Sequence, residues 1–196
     1  MAELTFYYGV MGCSKTANAL MSRWEALQKG WDVWLIKPAI DTRDDEADNN
    51  GNLRPMIKSR VGLCAPAKAI KAFEHIIAPA GTKLVICDEA QFLQPWQVDE
   101  LNSIAKDQGI TVLCFGLRTD FKTNFFPGSC RLFEIADRLI ELETFCDCGE
   151  KAIITAKLKD GKLVVEGDQI ELGSDNRYKP MCYKCWKKLQ STQKTS

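Results

Sequence analysis

Short continuous apolar runs alternate along this chain with longer stretches in which apolar residues recur every three or four positions. The runs at 4–8 (LTFYY), 32–36 (DVWLI), 83–87 (KLVIC) and 110–115 (ITVLCF) are rich in β-branched and aromatic residues and predict strands. They are nearly unbroken by polar residues, as expected when helices cover both faces of a parallel sheet. Between them, Leu20, Trp24 and Leu27 recur at helical spacing until Gly30 offers a stop. A second helix is expected around 67–77, and Pro95 opens a third with Val98, Leu101 and Ile104 on one face. The alternation of strand and helix predicts a doubly wound, mostly parallel α/β sheet.

The pattern changes twice. Residues 41–55 (DTRDDEADNNGNLRP) are too polar to pack and read as a surface loop. Beyond Phe145 the period becomes two, with KAIITAKL and KLVVEGDQIEL joined by KDGK, whose Asp-Gly pair predicts a hairpin. The chain therefore divides into an α/β part (1–144), a small β unit (145–190) and a tail (191–196) expected to fray.

Composition narrows this little. In 196 residues, 26 Lys plus Arg balance 26 Asp plus Glu, so no basic field argues for nucleic acid. No run approaches the ~20 apolar residues of a membrane span and no leader pattern opens the sequence, which places the expected location in the cytoplasm. Of nine cysteines, Cys64, Cys87, Cys114 and Cys130 lie in or beside apolar runs and are expected as buried thiols.

Three motifs carry chemistry. GVMGCSKT (9–16) fits the phosphate-loop pattern G-x-x-x-x-G-K-[ST] at Gly9, Lys15 and Thr16 but has Ser14 at the second glycine. In such loops backbone N–H groups surround phosphates, the Lys reaches their oxygens and the Ser or Thr ligates Mg²⁺. KLVICDEAQFL ends an apolar strand in two carboxylates, Asp88 and Glu89, one suited to hold Mg²⁺ and the other to act as a base. Cys146 and Cys148 in FCDCGEKA, with Cys182 and Cys185 in MCYKCWKK, supply four thiolates for a structural Zn²⁺. GLRTDFKTNFFPG (116–128) carries three phenylalanines and reads as a hydrophobic cluster or a base-stacking loop. His75 is expected to be structural or exposed, and Trp96 to pack.

Taken in order, Y-x-x-M-x-x-x-K-[ST], KPAIDTR, DEAQFL, GLRTDF with a following F-x-G-S, CDCG, and a tyrosine four residues before C-x-x-C resemble the zinc-containing type-II thymidine kinases. The resemblance implies a RecA-like phosphate-loop fold with a zinc-binding β unit that carries a lasso loop. It implies transfer of the ATP γ-phosphoryl group to the 5′-hydroxyl of thymidine. Residues Gly9, Val10, Met11, Gly12, Cys13, Ser14, Lys15 and Thr16 would form the phosphate loop, with Arg43 and Gln91 also on the phosphate side. Thr16 and Asp88 would hold Mg²⁺, and Glu89 would be the general base. Met11, Phe92, Leu117, Phe121, Thr155 and Tyr178 would line the nucleoside pocket, under a lasso running from 169 to 178. A homotetramer, feedback inhibition by thymidine triphosphate, and no membrane or nucleic-acid partner are further implications.

Two departures stand out: Cys13-Ser14 precedes the lysine where the family has Ala-Gly or Gly, and Gly173-Ser174 replaces paired glycines. Glycine is favoured where φ is positive or a phosphate comes close. A rival reading, motivated by Ser14 and the zinc ribbon, is a non-catalytic or nucleic-acid-associated nucleotide-binding protein; the balanced charge weighs against it.

Overall fold

The computed structural model describes residues 2–47, 52–169 and 177–194. In chain order its elements are β1 (Leu4–Gly9), α1 (Lys15–Gln28), β2 (Val33–Pro38), β3 (Glu46–Ala47), β4 (Leu53–Arg54), β5 (Met56–Lys58), β6 (Cys64–Pro66), β7 (Lys68–Ile70), β8 (Leu84–Cys87), a single 3₁₀ turn (Ala90–Phe92), α2 (Pro95–Asp107), β9 (Thr111–Leu117), α3 (Pro127–Ile135), β10 (Arg138–Glu141), β11 (Ile154–Lys159), β12 (Lys162–Leu163), β13 (Tyr178–Met181) and α4 (Tyr183–Lys194).

Six strands form one sheet in the order β10-β1-β9-β8-β2-β7, and every neighbouring pair is parallel. Period-two alternation divides its side chains between two cores. Leu4, Phe6, Val85, Cys87, Val112 and Cys114 pack with Val98, Leu101 and Ile104 of α2 and Leu132 of α3. On the opposite face Leu35, Leu84, Ile86 and Phe115 pack with Ala19, Leu20 and Ala26 of α1. The α/β architecture expected from the unbroken apolar strands is therefore present, with helices on both faces of the sheet.

A separate antiparallel sheet, β12-β11-β13, carries the C-terminal unit. Its β11–β12 hairpin turns through Asp160 and Gly161, both at positive φ (51° and 76°), the conformation an Asp-Gly pair adopts most easily in a two-residue turn. Its core gathers Ala152, Ile154, Ala156, Leu163 and Met181 around Cys146 and Cys182, and it also takes in Val10 from the loop after β1.

Several expectations need correction. Residues 67–77 are not helical: β7 pairs with β2 as an edge strand, and a turn follows it. The apolar spacing of AKAIKAF imitates a helix, but Pro66 and Pro79 bracket the segment and the edge of β2 offers it backbone partners. The polar stretch after Asp41 contains the short β3–β4 ladder. On α1, Leu20 is buried while Trp24 and Leu27 face outward, because Ala17, Ala19 and Ala26 form the inner face and let the helix lie close to the sheet. Cys87 and Cys114 are buried, but Cys64 and Cys130 are exposed. Of the tail, 191–194 continue α4, and 195–196 lie outside the described residues. Among the described residues no helix is long and apolar enough to cross a membrane.

Candidate active site

The loop between β1 and α1 is shaped by steric limits. A Cβ on Gly9 would lie 2.5 Å from both the Cys13 sulfur and the Leu142 carbonyl oxygen. Gly12 has φ 85°, and Ser14 sits in the left-handed region at φ 61°, ψ 28°. The positive φ for which glycine is favoured at this position is thus present in a serine. Its side chain makes no capping hydrogen bond, whereas its carbonyl accepts from the Asn18 backbone N–H (3.0 Å) and side-chain amide (2.9 Å). Lys15 folds back over the loop, and its ammonium donates to the Val10 carbonyl at 2.8 Å.

Opposite this loop, β8 ends in Asp88 and Glu89. One strand, β9, lies between β1 and β8, so the phosphate loop and the carboxylates flank a crevice at the C-terminal edge of the sheet. Asp88 is 3% exposed. Burial, and then the Glu89 charge, push its pKa up to about 7 against the opposing Thr16 hydrogen bond and Lys15 charge. Glu89 has φ 51° and ψ 34°, a conformation that side chains other than glycine enter at a cost. Burial works to raise its pKa, but the Arg43 charge foremost, then Lys15 and the Gln91 hydrogen bond, hold it below the usual glutamate value. Glu89 is therefore a carboxylate at neutral pH, the form that can accept a proton.

Arg43 is the hinge of this polar group. Its Nε donates to Asp41 Oδ1 and its Nη2 to Glu89 Oε1, both at 2.6 Å. Burial would lower the guanidinium pKa, but Glu89 and Asp41 outweigh it and raise it. A cavity of about 340 Å³ joins these parts, lined by Met11, Lys15, Thr16, Arg43, Asp88 and Glu89 among others. Leu117 borders it, as do residues 57–61 of the β5–β6 hairpin.

Other expected residues are placed elsewhere. Gln91, expected on the phosphate side, is 1% exposed and does not line the cavity. Its Oε1 accepts from the Leu117 N–H at 3.0 Å, and its Nε2 donates to Glu89 Oε2 at 2.5 Å. Both ends of its amide are engaged within the protein, one by Glu89 and the other by the backbone of β9. Phe92 packs edge-on against Phe126 at 5.6 Å, and Phe121 is buried beneath the Lys157 ammonium at 4.8 Å. The Thr155 hydroxyl accepts from the Met11 N–H at 3.0 Å, and Tyr178 stands opposite Lys157 on β13. None of Phe92, Phe121, Thr155 or Tyr178 lines the 340 Å³ cavity. Most of the expected lasso, including Gly173 and Ser174, lies outside the described residues.

The four C-terminal cysteines do converge. Their sulfurs all lie within 4.8 Å of one another, and Cys148 and Cys182 are 3.6 Å apart. A tetrahedral Zn²⁺ with Zn–S of about 2.3 Å needs sulfurs about 3.8 Å apart, so this donor set fits that ion. None of the cysteines is in a disulfide. Gly149, at φ 87°, turns the chain after Cys148, and the Cys185 N–H donates to the Cys182 sulfur at 3.4 Å. Sequence reasoning did not single out Lys37 or Asp41 as functional, although the spacing K-x-x-x-D-x-R holds the signal: Asp41 is 3% exposed and grips Arg43.

A glycine-led loop feeding a helix from the first strand, facing carboxylates one strand away across a parallel sheet, defines a phosphate-loop nucleotide-binding protein with two carboxylates beside the loop. A family model described as thymidine kinase matches residues 2–186. The chain is 39% identical to the thymidine kinase of Enterobacteria phage T4, covering 96% of this chain and 97% of that one. It is 38% identical to the thymidine kinase of Zymomonas mobilis (93% and 94% covered) and 38% identical to that of Legionella pneumophila (93% and 88%). The chain belongs to the thymidine kinase family.

Proposed function

We propose that this protein transfers the γ-phosphoryl group of ATP to the 5′-hydroxyl of thymidine, yielding thymidine monophosphate. The observation that carries the reading is a single cavity in which Lys15, Asp88, Arg43 and an ionised Glu89 face one another. Phosphoryl transfer needs little beyond positioning and charge neutralisation. Glu89 accepts the 5′-hydroxyl proton as the oxygen attacks the γ-phosphorus and the bond from that phosphorus to the bridging oxygen breaks, releasing ADP. Lys15 exchanges its Val10 carbonyl for phosphate oxygens, and Arg43 compensates the charge that develops on the transferred group. Thr16 and Asp88 are the residues to hold Mg²⁺, which supplies neutralisation of the β and γ oxygens when bound. Thr16 and Asp88 both line the cavity, which supports this pairing. Met11, Leu117, Phe92, Phe121, Thr155 and Tyr178 form the nucleoside side.

The cysteine cluster holds Zn²⁺ in a structural role: four protein ligands complete its coordination and leave no position for substrate. By the same reading the enzyme works in the cytoplasm as a homotetramer inhibited by thymidine triphosphate. Incubating metal-replete protein with ATP and thymidine and measuring thymidine monophosphate tests the activity. Absence of product rejects it.

A further inference from the structure

Lys37 lies on β2 with no solvent exposure, on none of the elements that line the active cavity. A charge fully removed from water is costly, and an apolar residue would fill a core strand without that cost. Its ammonium donates to Asp45 Oδ1 and to the Met56 carbonyl, both at 2.7 Å, and stands 3.9 Å from Asp41 Oδ2. The other oxygen of Asp41 accepts from Arg43, and Arg43 reaches Glu89. Charges therefore alternate from the core to the base: Lys37, Asp41, Arg43, Glu89. Asp45 closes the near end, where its Oδ1 also accepts from the Met56 N–H at 3.2 Å.

The geometry points to Lys37 as a positioning residue for phosphoryl transfer, acting through Asp41 on Arg43. Asp41 is shared between two cations. Lys37 draws one oxygen toward β2, which turns the other toward Arg43 Nε and sets the plane of the guanidinium. That plane decides whether Nη2 meets Glu89 and whether Arg43 faces the cavity it lines. Without the ammonium, Asp41 is free to rotate toward Arg43 alone and the fork loses its aim. Lys37 touches neither substrate, so its loss acts on turnover more than on binding of thymidine.

This inference rests on the proposed kinase activity, which turnover by the unmodified protein in the same assay tests separately. We expect Lys37→Met to lower kcat about tenfold or more while thymidine KM stays within twofold. The decisive comparison is a double-variant cycle. In an Arg43→Gln background, adding Lys37→Met changes kcat less than twofold, because the residue through which Lys37 acts is already gone. Folding is checked by thermal melting, since a purely structural lysine would lower the melting temperature and lower kcat equally in both backgrounds. Should Lys37→Met not fold, Lys37→Gln, which keeps a donor for Asp45 and the Met56 carbonyl but removes the charge that faces Asp41, puts the same question with the same cycle. Full multiplicativity with Arg43→Gln, or a folded Lys37→Met with kcat within twofold of the unmodified protein, overturns the assignment.

Discussion

Ser14→Gly isolates what the missing glycine of the phosphate loop costs. At φ 61° and ψ 28° a side chain with a Cβ is strained by on the order of 1–2 kcal/mol. The hydroxyl offers no capping hydrogen bond in return, so replacing it loses none. Glycine carries its own cost of about 0.5–1 kcal/mol in chain entropy, which leaves a net gain in stability of about 0–1.5 kcal/mol. For a chain of this size that is a rise in melting temperature of at most about 6 °C. The effect on the nucleotide is separate, because strain present in both the free and the bound loop cancels. What remains is the Cβ at the lip of a loop whose N–H groups must close on phosphate oxygens. Removing it is expected to be worth about 1 kcal/mol to the bound state, a fall in ATP KM of about fivefold. Steady-state kinetics with each substrate varied in turn read this directly, with thymidine KM within twofold of the unmodified protein. An ATP KM that is unchanged or higher refutes the argument, and so does an improvement that appears in thymidine KM instead.

Three further outcomes follow from the same structure. Glu89→Gln keeps the size of the side chain and removes proton acceptance, so kcat is expected to fall by a factor of about 10² to 10⁴ with a much smaller change in thymidine KM; near-normal turnover rejects Glu89 as the base. Elemental analysis of the purified protein should give one zinc per chain, and Cys182→Ser, which breaks the four-sulfur set, should lose the metal and lower the melting temperature; a metal-free but fully stable protein removes the structural role. Gly128→Ala places a Cβ within 2.6–2.9 Å of the carbonyl oxygens of Ala90, Leu93 and Gln91, so a loss of about 2 kcal/mol, or about 4–8 °C in melting temperature, is expected, and a melting temperature unchanged within 1–2 °C, about a quarter of that shift, contradicts the packing of α3 on the segment after Glu89.

What could be read from the sequence was whatever local chemistry dictates. The apolar strands β1, β8 and β9, the proline-led α2, the Asp-Gly hairpin and the two cysteine pairs each carry their own signal. The left-handed conformation at Ser14 was legible because the phosphate-loop pattern specifies it. The elements that escaped depend on distant partners. β7 looks helical until the edge of β2 is there to receive it, and β10, with Arg138 and Glu141 in four residues, gains its strand conformation by pairing with β1. The resemblance puts Gln91 on the phosphate side, and its amide contact to the Leu117 N–H, 26 residues away, is one that no local pattern displays. Trp24 and Leu27 show the converse: helical spacing identifies a helix but does not say which of two apolar stripes faces the sheet. The link from Lys37 to Glu89 joins the K-x-x-x-D-x-R stretch after β2 to the end of β8, and the linear sequence displays only its first three members.

Val10 belongs to the phosphate loop by sequence and to the core around Cys146 and Cys182 by packing, and the next residue, Met11, hydrogen-bonds Thr155 of β11. The loop is therefore held from two sides, by the parallel sheet and by the cysteine unit. If the cluster holds zinc as proposed, stripping it with a chelator, or oxidising the sulfurs, would loosen one wall of the cavity although no cysteine of the cluster lines it. For anyone exchanging C-terminal units between relatives, the junction to preserve is not the linker near residue 145 but this contact across the fold. A chimaera that mismatches Val10 with its new socket would be expected to keep its zinc and lose its grip on ATP.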